Sequence, residues 1–372
     1  MAGSLSKSGA LAAASVMVVL LGLEGSLRLA RYTPRKFRAS ARLVDPHWRL
    51  LLDCYPSNPR GYFDIDLRDP RSRERYGHLA PLRYEPLVRR TPWAVESSYN
   101  SLRFRDVEFG PKRTGVRRVM ILGDSFTEGQ GVKEPDTYPR VLEARLNAQD
   151  AHAPKTPRWE VRNCGRRGAD FPLLFELFEQ ILSYEPDVIV YGMVLNDADQ
   201  SDEFHSRQTY VNDLILDRGR TDGHALPEMG RFDSRLLGFV RDRIETRRTT
   251  VETTRWYLDM YGAPNREGWE RTQGYLREMN RRTRERGAHF LVASWPLIVN
   301  MEGDDPFAAA TQTVSRFCVS AGIPWHDLRP ALRNHPTSSL WVHPVDMHPN
   351  ELAHHLAAES LAPIVRDLGK EH

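Results

Sequence analysis

Cysteine is scarce. The chain of 372 residues has three, Cys54, Cys164 and Cys318, far apart and with no C-x-x-C pair, which excludes a disulfide framework or a clustered thiolate zinc site and leaves room for one disulfide at most. Long apolar runs are scarce too, and a mean hydropathy of −0.53 excludes a polytopic membrane protein. An excess of one charge is absent: 52 basic residues, mostly arginine, face 49 acidic ones, giving +3. Without a clustered basic face that balance names no nucleic-acid partner. Repeats and low-complexity tracts are missing, and the glycine-rich loop at 123–131 lacks the G-K-[ST] ending of a phosphate-binding loop. What remains, at 40% hydrophobic and 27% charged residues, is too apolar for a disordered chain and fits a soluble enzyme-sized body.

One apolar run is present at residues 10–23, ALAAASVMVVLLGL, followed by Glu24 and, four residues on, Arg28. Such a run is short of the roughly 20 residues that span a bilayer. A helix continuing to Leu29 spans if Glu24 and Arg28, on one face, pair near the interface. The run reads as an uncleaved anchor, as the apolar region of a cleaved signal peptide, or as a buried helix. No pair of small residues with A-x-A spacing closes it, which favours the anchor. Lys7 precedes it and Arg28, Arg31, Arg35, Lys36, Arg38 and Arg42 follow it, a bias that by the positive-inside rule keeps the body in the cytoplasm.

The chain then divides into an extension at 31–115 and a domain at 116–368. The extension is rich in Pro and Arg, with turn signals at Asn58-Pro59 and Asp69-Pro70. Its residues 98–106, SYNSLRFRD, read as one or two short surface strands. From residue 116 apolar runs alternate with helical periodicity, the pattern of a parallel sheet covered by helices. Strands are expected at 118–122, 159–162, 187–191, 289–295 and 324–326, and helices at 138–147, 171–184, 269–286, 306–320 and 350–368. Residues 197–265, charged and weakly periodic, read as a partly helical insertion, because unstructured loops of that length are uncommon.

In open α/β sheets ligands bind beyond the carboxyl ends of the strands. Four blocks stand there or before the last helix: Gly123-Asp124-Ser125 through Gly129, Asn163-Cys164-Gly165-Arg166-Arg167-Gly168, Val194-Leu195-Asn196-Asp197, and His343 through Asn350. Ser125 attacks a carbonyl only if a base takes its proton, and His348 is the candidate base. The Ser125 N–H, the Gly168 N–H and the Asn196 amide are the candidate oxyanion hole. Asp124 and Asp197 read as loop braces, Asn350 as a helix cap, Cys164 as an inert core thiol, His354 and His355 as packing or surface residues, and His343 as a surface histidine. Arg166 and Arg167 read as a solvated pair or as a contact for an anionic substrate.

These four blocks, in this order, resemble the SGNH or GDSL-type hydrolases over about residues 116–366, and the SYNSLRFRD stretch is similar to the lead-in of membrane-anchored bacterial members. The resemblance implies a flavodoxin-like three-layer α/β/α sandwich and hydrolysis of an ester or acyl group without metal or cofactor. By position it implies Ser125 as nucleophile, Gly168 and Asn196 as oxyanion donors and His348 as base. Two positions depart from the pattern. Val194 stands where the third block usually has Gly, and Asp346 lies two residues before His348 where the family's acid usually lies three before. Asp346 is the expected acid, with Asp327, a backbone carbonyl or a water as alternatives. The expected activity is that of a serine esterase or deacylase acting on a small-molecule, glycan or lipid ester of the cell envelope. O-acyl transfer to a surface glycan and a non-catalytic membrane-tethered binding module are the alternatives. Resemblance to envelope-associated relatives places the domain outside the cytoplasmic membrane, against the positive-inside count, and export is the expectation taken.

Overall fold

The computed structural model describes residues 2–32, 34, 97–150, 157–206, 229–343 and 346–370, with backbone alone for 2–7, 149–150, 343 and 346. Cys54, the two turn signals, most of the 31–115 extension, the middle of the 197–265 insertion and the side chains of His343 and Asp346 lie outside the described residues. In chain order the elements are α1 (Ala2–Leu29), β1 (Val116–Gly123), the single turn α2 (Ser125–Glu128), α3 (Tyr138–Asp150), β2 (Arg158–Gly165), α4 (Leu173–Leu182), β3 (Val188–Met193), α5 (Arg235–Asp259), α6 (Arg266–Glu285), β4 (His289–Ser294), α7 (Ala308–Ser320), β5 (Trp325–Asp327), α8 (Arg329–Leu332), β6 (Trp341–His343), β7 (Asp346–Pro349) and α9 (Glu351–Lys370). Every strand and helix expected after residue 116 is present, with ends moved by a few residues. The β6/β7 hairpin was not expected.

The sheet runs β2-β1-β3-β4-β5, all parallel, the flavodoxin-like order in which chain direction across the sheet reverses between β1 and β3. Its central strands carry continuous apolar runs because both faces are covered. On β1, Val119 and Ile121 face a layer made by Val141, Leu142 and Leu146 of α3 with Ala357, Leu361 and Val365 of α9. Met120 and Leu122, alternating with them, are also fully buried. Phe178 of α4 meets Phe290 of β4 edge to face, and Trp269 of α6 meets Phe317 of α7 in the same way.

Residues 98–106 are a correction to the sequence reading. They form turns, with no strand, and Phe104, Arg105 and Asp106 are buried. Asn100 organises them, its Oδ1 accepting from the N–H groups of Leu102 and Phe104. Asp106 accepts from the Asn163 N–H at 2.7 Å and from Arg140. Short alternation suggested strands, but side-chain hydrogen bonds close the backbone on itself instead.

The chain divides into two compact units, Met1–Gly61 with Thr209–Thr253 and Tyr62–Gln208 with Thr254–His372. In the first, Ser8–Leu29 is long and apolar enough to cross a membrane, a property shared by anchors and signal sequences. Its last turns carry the expected Glu24–Arg28 pair at 2.7 Å. Glu24 also accepts from Ser234 Oγ at 3.0 Å and from the N–H groups of Arg235 and Leu236 at 3.1 and 2.8 Å, so it caps α5 from another helix.

Candidate active site

Three glycines lie side by side where β2, β1 and β3 end: Gly123 pairs with Gly165 on one side and with Gly192 on the other. A Cβ on Gly123 would fall 2.1 Å from Thr127 Oγ1, and one on Gly165 would fall 2.2 Å from the Glu128 N. The row therefore makes a trough into which α2 settles, and it sits at the reversal point of the sheet, where ligands of this architecture bind. Thr127 locks the turn from below through the Tyr138 hydroxyl at 2.8 Å.

Ser125 opens α2. Its Oγ lies 2.8 Å from His348 Nε2, 223 positions away in sequence. His348 comes from β7, whose antiparallel pairing with β6 carries it to the sheet end. The Phe126 ring packs on the imidazole with centroids 5.3 Å apart. Asn350, just past β7, accepts from the Ala353 N–H at 3.2 Å and donates to the Ser339 and Trp341 carbonyls, so it caps α9 and ties that cap to the hairpin. Beneath lies His354, fully buried, accepting from the Tyr138 N–H at 3.1 Å and pushed down to about 3 by burial. It is a neutral packing group.

Two buried carboxylates support the loops. Asp124 caps α2 by accepting from the Phe126 N–H at 2.9 Å and lies 3.4 Å from Ser125 Oγ. Burial pushes it up to about 6, while the Phe126 N–H, His348, Asn196 and Ser125 act against that rise. Asp197 accepts from the Val194 N–H at 2.9 Å and the Tyr191 hydroxyl at 2.8 Å. Burial, reinforced by the charge of Asp124, raises it well above the carboxylate range. Val194, where the family pattern has Gly, is accommodated with its side chain buried and its N–H satisfied by Asp197.

The Gly168 turn follows β2, with φ at +71° and open space where a Cβ would stand; Asn196 follows β3 and acts on Asp124. Neither arginine of the second block is free for an anionic ligand. Arg167 pairs with Glu128 at 3.0 Å, and Arg166 donates to the Leu102 carbonyl and lies over the Phe104 ring. Cys164 is buried with its thiol pushed far up by burial. Asp327 accepts from the Arg329 N–H at 2.9 Å and braces the turn into α8.

Two residues of the site escaped the sequence reading. Gln130 places its amide Nε2 3.2 Å from His348 Nδ1, and Arg105 donates to the carbonyls of Gly129 and Val132 on either side of it. Gln130 stands one residue past the first block, five residues after Ser125, and that proximity was the only signal available.

The model of the GDSL-like Lipase/Acylhydrolase family matches residues 121–356. No curated protein matches the chain. Among solved structures, TesA is similar at 13% identity and a TM-score of 0.40, covering 68% of this chain and 99% of its own. LAE5, an alpha/beta hydrolase from the metagenome of Lake Arreo, is similar at 17% identity and a TM-score of 0.41, with 68% and 96% covered. Axe2, an acetyl-xylooligosaccharide esterase from Geobacillus, is similar at 14% identity and a TM-score of 0.39, with 71% and 97% covered.

Proposed function

The chain belongs to the GDSL-like lipase/acylhydrolase family and is a serine hydrolase of esterase type, and on that premise we propose that it cleaves a carboxylic ester, carried by an envelope glycan or lipid, through an acyl-enzyme on Ser125. The observation that carries this reading is the 2.8 Å contact between Ser125 Oγ and His348 Nε2 at the reversal point of the sheet.

In the proposed mechanism His348 Nε2 takes the Ser125 proton as Oγ attacks the ester carbonyl. The Ser125 and Gly168 N–H groups and the Asn196 amide receive the developing oxyanion, which they stabilise without adding net charge. Collapse breaks the ester C–O bond, and the leaving alkoxide takes its proton from Nε2. Water then gives its proton to Nε2 and attacks the acyl carbon, and collapse breaks the acyl–Oγ bond as Ser125 Oγ takes that proton back from Nε2. Asp346 is assigned the role of acceptor for the His348 Nδ1–H. The engagement of Arg166 and Arg167 within the protein suits an uncharged acyl group better than an anionic one. The hydrolase domain is taken as residues 116–368, held to the exported face of a membrane by α1.

A fluorophosphonate probe tests the reading on the full chain. Ser125 is expected to carry the adduct, and both the adduct and hydrolysis of short-chain aryl esters are expected to vanish in Ser125→Ala and His348→Ala. Substantial turnover by a folded Ser125→Ala protein removes the serine mechanism.

A further inference from the structure

We propose that Glu128 is a positioning residue for the oxyanion hole: its carboxylate, carried on the same turn as Ser125, holds the loop that presents the Gly168 N–H to the substrate oxygen. The inference rests on the reading of Ser125 as nucleophile and Gly168 as oxyanion donor.

Glu128 ends α2, three residues after Ser125, and is 3% exposed. Its Oε2 accepts from the backbone N–H of Arg167 at 2.6 Å. Its Oε1 accepts from the Arg167 guanidinium at 3.0 Å and from the Tyr99 hydroxyl at 2.6 Å. Burial acts to raise the carboxyl, but the Arg167 charge, the Tyr99 hydroxyl and the Arg167 N–H outweigh it and hold the group below its ordinary value of 4.5. The group is therefore ionised, and each of its bonds is charge-assisted. A buried carboxylate is costly to pull away from such donors, so Glu128 acts as a fixed strut between α2 and the loop after β2.

The hydrogen bonds of that loop show what the strut holds. The Arg166 N–H donates to the Gly123 carbonyl at 2.9 Å, the Arg167 N–H to Glu128, and the Ala169 N–H to the Arg166 carbonyl at 3.0 Å. The Gly168 N–H, between them, has no acceptor among the described residues. A backbone donor left unused beside used neighbours is what an oxyanion hole requires, because its acceptor is the oxygen that becomes charged during the reaction. Arg167 immediately precedes Gly168, so fixing the Arg167 N–H and guanidinium fixes the chain that leads into the Gly168 N–H. The strut starts from α2, so the Ser125 and Gly168 donors are set relative to each other by one side chain. Tyr99 extends this support to the buried turns at 98–106, which gives the lead-in stretch a part in the reaction geometry.

Two variants of the full chain test the proposal. Glu128→Asp keeps the charge that balances Arg167 but draws the carboxylate back by one methylene, about 1.5 Å. Tyr99→Phe removes one of the bonds that orient the carboxylate. The readouts are hydrolysis of a short-chain aryl ester and inhibition by a trifluoromethyl ketone with the same acyl chain. The ketone reports the oxyanion directly: Ser125 Oγ adds to its carbonyl carbon, the Oγ proton passes to His348 Nε2, and the carbonyl oxygen takes the displaced electron pair as an alkoxide in the hole. Glu128→Asp is expected to lower kcat about 10–100-fold, the scale on which a displacement of about 1 Å is felt, with KM changed less than about twofold. Its affinity for the ketone is expected to fall by the same factor as kcat/KM. Tyr99→Phe is expected to lower kcat and ketone affinity together by about 2–5-fold, the effect of weakening one hydrogen bond. A folded Glu128→Asp protein with native kcat and native ketone affinity overturns the proposal, as does a loss of kcat at unchanged ketone affinity or a raised KM with kcat intact. If Glu128→Asp does not fold, Tyr99→Phe decides alone: the paired losses support the proposal and native values overturn it. Failure of the serine reading is visible separately, as absence of fluorophosphonate labelling in the native protein.

Discussion

Asp124→Asn offers a stability measurement with a sign fixed by the structure. The carboxyl is fully buried under the nucleophile turn and displaced from its ordinary value of 3.8 to about 6. At about 1.4 kcal/mol per pH unit, that displacement is a penalty of roughly 3 kcal/mol on the folded state once the group ionises. The folded-state value lies above the unfolded one, so from about pH 4 to 6 the unfolded chain releases this proton while the folded chain retains it, and native stability falls across that window. Asparagine keeps the cap on the Phe126 N–H, being as good a helix N-cap as aspartate, and does not ionise. The variant is therefore expected to match the native protein near pH 3, below the unfolded value, and to exceed it by roughly 3 kcal/mol at pH 7 and above. Urea unfolding of the full chain in detergent, followed by tryptophan fluorescence at several pH values, measures the difference. The acid limb of kcat/KM is expected to move to lower pH as well, because the negative charge acting on His348 is gone. A stability difference that stays flat between pH 4.5 and 7 would refute the reasoning: Asp124 would then not be the group penalised by burial.

Asn196→Ala is expected to lower kcat by about 10²–10³ with little change in KM, the usual cost of one oxyanion donor; a raised KM with kcat intact would make Asn196 a ground-state contact. Gly165→Ala puts a methyl group 2.2 Å from the Glu128 backbone nitrogen, which no rotamer relieves, so a loss of about 3 kcal/mol or more in unfolding free energy is expected, against the 1–3 typical of overpacking. Native stability in that variant would show that α2 does not sit in the glycine trough.

The parallel sheet was legible because β1, β3 and β4 are buried on both faces and so read as unbroken apolar runs, and the ends of β1, β2 and β3 pointed to Ser125, Gly168 and Asn196. The hairpin that delivers His348 was not. Three- and four-residue strands made of Trp, His, Pro and Asp show neither alternation nor an apolar run, and their pairing is decided by tertiary contacts such as Asn350 to the Trp341 carbonyl. Arg105 fell within the stretch read as short surface strands; it is buried, donating to the carbonyls of Glu128, Gly129 and Val132. Arg166 and Arg167 were read as a solvated pair or as a contact for an anionic substrate; their partners, the Leu102 carbonyl and Glu128, lie 64 and 39 positions away and are invisible to local reading.

The Glu24 carboxylate gives α1 a role within its own unit. A protease cutting after the apolar run would strip α5 of the acceptor for two of its first N–H groups, an uncapping that costs about 0.5–2 kcal/mol in comparable helices. The apolar helix and residues 234–236 share this joint, so a preparation begun at residue 31 lacks part of the scaffold of its own first unit.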